Sequence, residues 1–273
     1  MDMKLSCPVC GGAFGAEPFG LRCERGHCFD RARQGYYNLL LSSKEHGARR
    51  GDDGLMIRSR TAFLERGYYA PVREAMCDML SGLLSGGAIL DAGCGEGYYA
   101  ERLSARLKEA GVDHLIIGVD ISRDAVKAAA RRGCYAELAV ASTARLPISD
   151  GSLEAVLNIF SPPEIGEYRR VLSAGGILLR ALPLEEHLYS LKAAVYEQPY
   201  RNPAPKMELE GFRLTEQRDV CRTVTVTPAE DIISLFAMTP YWYKTSPADR
   251  AKLDGLTQLD TEFAIRLAAY RKL

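Results

Sequence analysis

The sequence predicts an α/β protein with a doubly wound parallel sheet, preceded by a small metal-binding module. Three observations predict it. Strand-like and helix-like segments alternate from Pro71 onward. A glycine-rich turn follows the first of those strands, and cysteines and a histidine cluster before residue 29.

Each element has its own signal. PVREAMCDMLSGLL has helical spacing, and GAILDAG reads as a buried strand. GYYAERLSARLKEAG is a helix ended by Gly111, HLIIGVD is a second strand, and SRDAVKAAARRG is a helix with Ser122 as its N-cap. YAELAVA and LEAVLNIF are strands three and four, PPEIGEYRRVL is a helix opened by prolines, and GGILLRALP is strand five. Such alternation calls for a parallel sheet with helices on both faces. The stretch from Gln198 to Glu210, with three prolines, reads as a lid or an insertion.

The amino-terminal stretch CPVCGGAFGAEPFGLRCERGHCFD holds Cys7-x2-Cys10 and Cys23-x3-His27. Two close pairs on a short loop suit a tetrahedral ion, and three thiolates with one imidazole form a closed structural zinc set. Gly11, Gly12 and Gly26 can supply the unusual backbone angles of the two turns. About 30 residues bury too little apolar surface to fold alone, so the metal supplies the missing stability. Cys28 adjoins His27 and is an alternative fourth ligand. Cys77, Cys134 and Cys221 lie among apolar neighbours and read as small core residues.

Composition narrows the setting. The chain of 273 residues is 47% hydrophobic and 26% charged, which fits a globular core. No apolar run approaches the roughly 20 residues of a membrane span, and the start lacks a signal-peptide stretch. A cytoplasmic protein with reduced thiols is expected, with no membrane partner. Formal net charge is zero, but Arg22 to Arg73 carry eleven Lys/Arg against six Asp/Glu. That excess suits phosphates or, equally, a solvated linker.

Asp91-Ala-Gly-Cys-Gly-Glu-Gly97 ends the first strand of the sheet, where doubly wound folds bind ligands. Gly93, Gly95 and Gly97 let the backbone pass close beneath a ligand, and the next helix offers free N–H groups. Asp120 ends strand two and can accept ribose hydroxyls. The dinucleotide fingerprint is GxGxxG, whereas this turn is GxGxG with Tyr98 in the third-glycine place. The early acid, the GxGxG and the second acid together resemble class I S-adenosylmethionine-dependent methyltransferases, a Rossmann-like fold. Asp91, Glu96, Tyr98 and Tyr99 suit a sulfonium cation.

The whole chain resembles the large-subunit (23S) ribosomal RNA guanine-N1 methyltransferases, the group that includes macrolide-resistance methyltransferases. The blocks that carry the resemblance are CPVC…CERGHCFD, GYYNLL, RRGD, RTAFLERGYYAPVR, LDAGCGEGYY, ASTARLP, HLYSLK and MTPYWY. It implies one structural zinc on Cys7, Cys10, Cys23 and His27. It implies S-adenosylmethionine on Gly95, Glu96, Gly97 and Asp120, with Tyr69 and His187 lining the pocket. It also implies an RNA-recognition module at 1–38, a basic linker with a helix at 39–70 and the methyltransferase domain at 71–273. Trp242 sits one residue nearer Pro240 than in the family pattern and takes no role.

N1 of guanine lies on the pairing edge, so the target must be unpaired or extruded. Glu164 and Glu167 are the nearest proton acceptors by topology, and Phe160, Tyr241 and Trp242 are aromatic candidates for stacking, with core packing as their ordinary role. Arg22, Arg25, Arg31 and Arg33 could grip RNA backbone. Oligomeric state stays open; two basic faces in a homodimer would suit a large RNA. A methyltransferase of small metabolites and a non-catalytic zinc and RNA-binding assembly factor are the alternatives.

Overall fold

A computed structural model describes residues 3–41 and 51–273. Lys44, Arg49 and Arg50 of the basic linker lie outside the described residues. The amino-terminal module is a three-stranded antiparallel meander of β1 (Phe14–Glu17), β2 (Gly20–Cys23) and β3 (Cys28–Asp30). The next strand, β4 (Tyr37–Asn38), leaves the meander and pairs in parallel with β7 (Glu137–Val140) of the main sheet. The other end of the module is tied to the same edge. The Glu137 carboxylate accepts from the backbone N–H groups of Lys4 and Leu5, each at 2.8 Å. Leu5 and Leu39 are both buried in the main core.

Two helices lead into the sheet. α1 (Gly54–Glu65) is capped by Asp53, whose side chain accepts from Leu55 and Met56 N–H. α2 (Ala70–Leu83) opens with Pro71, where the missing N–H costs nothing. The central strands are β5 (Gly87–Ala92), β6 (His114–Asp120), β8 (Leu153–Ile159) and β9 (Leu172–Pro183). Helices α3 (Tyr98–Glu109), α4 (Arg123–Ala129) and α5 (Ile165–Val171) connect them. Beyond lie α6 (Tyr189–Val195), β10 (Phe212–Val226), α7 (Ala229–Ala237), α8 (Pro247–Arg250) and β11 (Leu259–Lys272).

The eight-stranded sheet has the order β10-β11-β9-β8-β5-β6-β7-β4. Six strands are parallel; β11 runs antiparallel between β9 and β10. The strand order reverses at β5, which pairs with β6 on one side and β8 on the other. That reversal opens a crevice at the carboxyl ends of β5 and β8, the place where such sheets take ligands. Apolar layers cover both faces. One contains Phe63, Met76, Leu80 and Leu103, and the other Leu90, Ile117, Tyr168 and Tyr270. Fully burying each large aliphatic or Phe side chain stabilises by roughly 1.5–3 kcal/mol.

Two expectations need adjusting. The helix after β8 starts at Ile165, because Pro162 and Pro163 stay in the turn that follows Phe160. Cys77 is buried and Cys134 half-buried, but Cys221 is exposed on the edge strand β10 and is not a core residue. No helix among the described residues is long and apolar enough to cross a membrane.

Candidate active site and metal centre

Two backbone turns build the metal centre. Gly11 N–H donates to Cys7 O and Gly26 N–H to Cys23 O, both at 2.8 Å. Gly11 (φ 72°) and Gly26 (φ 82°) adopt the left-handed angles that close these turns. The ligand atoms of Cys7, Cys10, Cys23 and His27 all lie within 4.8 Å of one another. Cys10 Sγ is 3.7 Å from Cys23 Sγ, and His27 Nδ1 is 3.3 Å from Cys23 Sγ and 3.6 Å from Cys7 Sγ. Zinc–sulfur bonds of about 2.3 Å in a tetrahedron put sulfurs about 3.8 Å apart, so the set fits a single zinc ion. Cys28 stands outside it. Its exposed sulfur accepts from Arg22 Nε at 3.3 Å and faces the Gly26 carbonyl, which leaves His27 as the fourth ligand.

The glycine turn after β5 is held from below. Gly93 and Cys94 N–H both donate to Val119 O. Asp120 ties the turn to β6: Oδ2 accepts from Gly95 N–H at 2.9 Å and Oδ1 from Ser122 N–H at 2.8 Å. Each carboxylate oxygen keeps a further lone pair for a ligand hydroxyl. Gly93 has φ 78°, and a Cβ there would meet Ser161 Cβ at 2.6 Å. Ser161 is itself fixed by donating to Ala92 O and accepting from Asn158 Nδ2.

Glu96 is 3% exposed, and its Oε1 has no hydrogen-bond partner. Arg132 stands 3.8 Å away, donates to Glu96 O at 2.8 Å, and pairs with Glu65 and Glu101. Arg60 of α1 reaches over Gly95, held by Asp52 at 2.6 Å. A buried carboxylate oxygen without a donor, beside a turn open to close approach, fits the amine and hydroxyl donors of S-adenosylmethionine.

Asp91 bonds to Tyr135 rather than to the glycine turn; Tyr135 Oη donates to its Oδ2 at 2.8 Å. Burial pushes the Asp91 carboxyl up to about 7, with Asp120 and Glu96 adding repulsion against the Tyr135 bond. Burial also raises Asp120 and Glu96. A cluster of acids reluctant to ionise is a site that gains from an incoming cation.

Tyr69 and His187 meet on the other side of the crevice, 3.3 Å apart. The Tyr69 ring packs edge-on to Phe160 at 5.9 Å, and Phe160 in turn lies 6.4 Å from Tyr99. The aromatic group therefore continues from the glycine turn to the end of β8. Phe160 is 42% exposed and has φ 54°, so it is displayed rather than packed in the core. Tyr98 stands apart: its ring is buried in the apolar layer, with the Arg73 guanidinium 4.4 Å above it. Trp242 packs on Phe236 with Arg250 over its face.

Glu167 is not a free proton acceptor. Burial would raise it, but bonds from Arg170 and Leu146 N–H outweigh that and hold it below the usual range. Tyr135 and Arg132 escape sequence reasoning. The signal for Tyr135 is Gly118, a glycine inside a strand, where an added Cβ would meet the Tyr135 ring at 2.7 Å. Arg132 has no such signal.

Comparison with known proteins covers both parts of the chain. The RlmA N-terminal zinc-ribbon family matches residues 5–46, and the methyltransferase-domain family matches residues 89–176. The 23S rRNA (guanine(748)-N(1))-methyltransferase of Streptomyces fradiae is 37% identical over 70% of this chain and 67% of its own. A protein of Micromonospora griseorubida, provisionally named a 23S rRNA (guanine-N(1)-)-methyltransferase, is 31% identical over 98% of this chain and 97% of its own. YxjB of Bacillus subtilis, provisionally named in the same way, is 33% identical over 90% of this chain and 89% of its own. The domain is thus an S-adenosylmethionine-dependent methyltransferase with one zinc ribbon, and the chain belongs to the 23S ribosomal RNA guanine-N1 methyltransferase family.

Proposed function

We propose that this protein transfers a methyl group from S-adenosylmethionine to N1 of a guanine in a loop of 23S ribosomal RNA. The observation that carries the reading is the similarity to named guanine-N1 methyltransferases that runs through zinc ribbon and catalytic domain alike. When bound, the donor supplies an electrophilic methyl on a positively charged sulfur. Gly93, Gly95 and Gly97 form its cradle, Asp120 takes the ribose hydroxyls, and Glu96 takes a donor group of the ligand. Asp91 and Tyr99 complete the acidic and aromatic surround, while Tyr69 and His187 wall the pocket beside Phe160. Holding the two reactants in line removes much of the entropic barrier.

The zinc ribbon is the RNA grip. A cavity of about 370 Å³ on it is lined by Pro18, Phe19, Arg31 and Arg33. Phe19 is 85% exposed, which suits stacking on an unpaired base while the arginines meet phosphates. Pairing of β4 with β7 carries the ribbon on the same sheet as the donor site. Replacing Cys7 and Cys10 by Ser tests this: RNA affinity falls across salt concentrations while donor binding stays measurable. Equal RNA affinity in the variant refutes the role.

A further inference from the structure

Lys192, on α6, is fully buried at 0% exposure. Its ammonium has no carboxylate within ion-pair distance among the described residues; its acceptor is the neutral Asn202 amide, with Nζ to Oδ1 at 3.0 Å. Asn202 is itself fixed by bonds to Leu184 O, His187 O and Glu185 O, and Tyr241 Oη donates to the same Oδ1. The ammonium also faces aromatic rings, Tyr200 at 4.6 Å and Tyr241 at 5.7 Å from Nζ. A buried cation with no carboxylate in direct contact costs several kcal/mol, and an anionic or charge-developing ligand group would offset that cost.

The place of Lys192 indicates that partner. His187, just ahead of α6, touches Tyr69 and lies parallel to the Phe160 ring at the end of β8. The ammonium is thus linked through Asn202 to His187 and the Tyr69 wall of the crevice, opposite the glycine turn. Tyr200 is 49% exposed on the irregular stretch before β10, so its ring is the wall a flipped base can displace.

We infer that Lys192 binds O6 of the target guanine and stabilises the negative charge that forms there when N1 loses its proton. The inference rests on the guanine-N1 reading above. In the step, the N1–H bond breaks and the proton passes to water, leaving its electron pair on N1 delocalised to O6. N1 then forms the bond to the methyl carbon, and the carbon–sulfur pair stays on sulfur as a neutral thioether. A fixed ammonium aimed at O6 lowers the energy of the anionic base without reorganising at the moment of reaction.

The test uses zinc-loaded full-length protein and a 23S rRNA hairpin with 6-thioguanosine at the target position, without donor. Absorbance of the thiobase reports N1 ionisation, a readout a merely structural lysine does not move. The charged and titratable groups that act on Lys192 are Glu186, His187, Tyr200 and Tyr241. They are common to both proteins compared. The expected result is ionisation in the wild-type complex about one pH unit or more below that of the free hairpin, a shift lost in Lys192→Met and kept in Lys192→Arg. An unshifted titration in the wild-type complex overturns the inference even if the Met variant does not fold. An equal shift in wild type and Lys192→Met also overturns it. Wild-type protein that methylates no guanine N1 in unmodified RNA overturns the underlying reading instead.

Discussion

His187 and Tyr69 are 118 residues apart in the chain and meet at 3.3 Å between Nε2 and Oη. Ala264 N–H donates to His187 Nδ1 at 3.3 Å, so the ring carries its hydrogen on Nε2 and gives it to Tyr69. The Tyr69 hydroxyl proton is then not engaged by His187. Tyr69→Phe leaves a buried imidazole N–H unpaired. Stability falls by about 1–3 kcal/mol in chemical denaturation, and donor affinity falls in calorimetry.

Burial, reinforced by the Lys192 charge, depresses His187 to about 3. Between about pH 3 and the unfolded value near 6.5, the unfolded chain binds the extra proton. Folding stability contributed by this group is therefore full above pH 6.5 and shrinks as pH falls. His187→Gln should lose less stability than wild type between pH 7 and pH 4, as read from denaturation midpoints.

Asp91 has the opposite sign. Its folded-state value of about 7 lies above the unfolded one, so its stabilising contribution is present in acid and is lost as pH rises through 7. A bound cation reverses the preference by favouring the carboxylate. Donor affinity should therefore rise from pH 6 to pH 8 with proton release, measured by calorimetry in buffers of different ionisation heat. Asp91→Asn should flatten the rise, while Asp120 and Glu96 retain part of it.

Gly93→Ala combines a positive φ with a Cβ 2.6 Å from Ser161, whereas Gly133→Ala has φ 65° and open space. The second substitution should cost about 1 kcal/mol from backbone strain alone. The first should cost more and abolish measurable donor binding, because Ser161 and the turn must move apart.

Metal analysis should find one zinc per chain. Cys7→Ser should lose it and lower the melting temperature, since Leu5, Leu39 and β4 connect the ribbon to the sheet. Cys28→Ser should keep the zinc, because its sulfur faces Arg22 and the Gly26 carbonyl.

The strands from β5 to β9 were legible because each is a short apolar run between helical patterns. β4 was not, being two residues long with its pairing made far along the chain. β11, with the sequence LDTEFAIRLAAYRK, is rich in helix formers yet is a strand bonded on both sides. Tertiary pairing there overrides local propensity. Within the site, the glycines and Asp120 announce themselves by spacing. Tyr135 and Lys192 do not, because their burial depends on which distant side chains close over them.

The most direct measurement incubates zinc-loaded protein, isotopically labelled S-adenosylmethionine and unmodified 23S rRNA, then digests the RNA and resolves its nucleosides by mass spectrometry. The expected result is label in 1-methylguanosine at a single loop position. Label in another methylated nucleoside, or none in the RNA, would contradict guanine-N1 transfer.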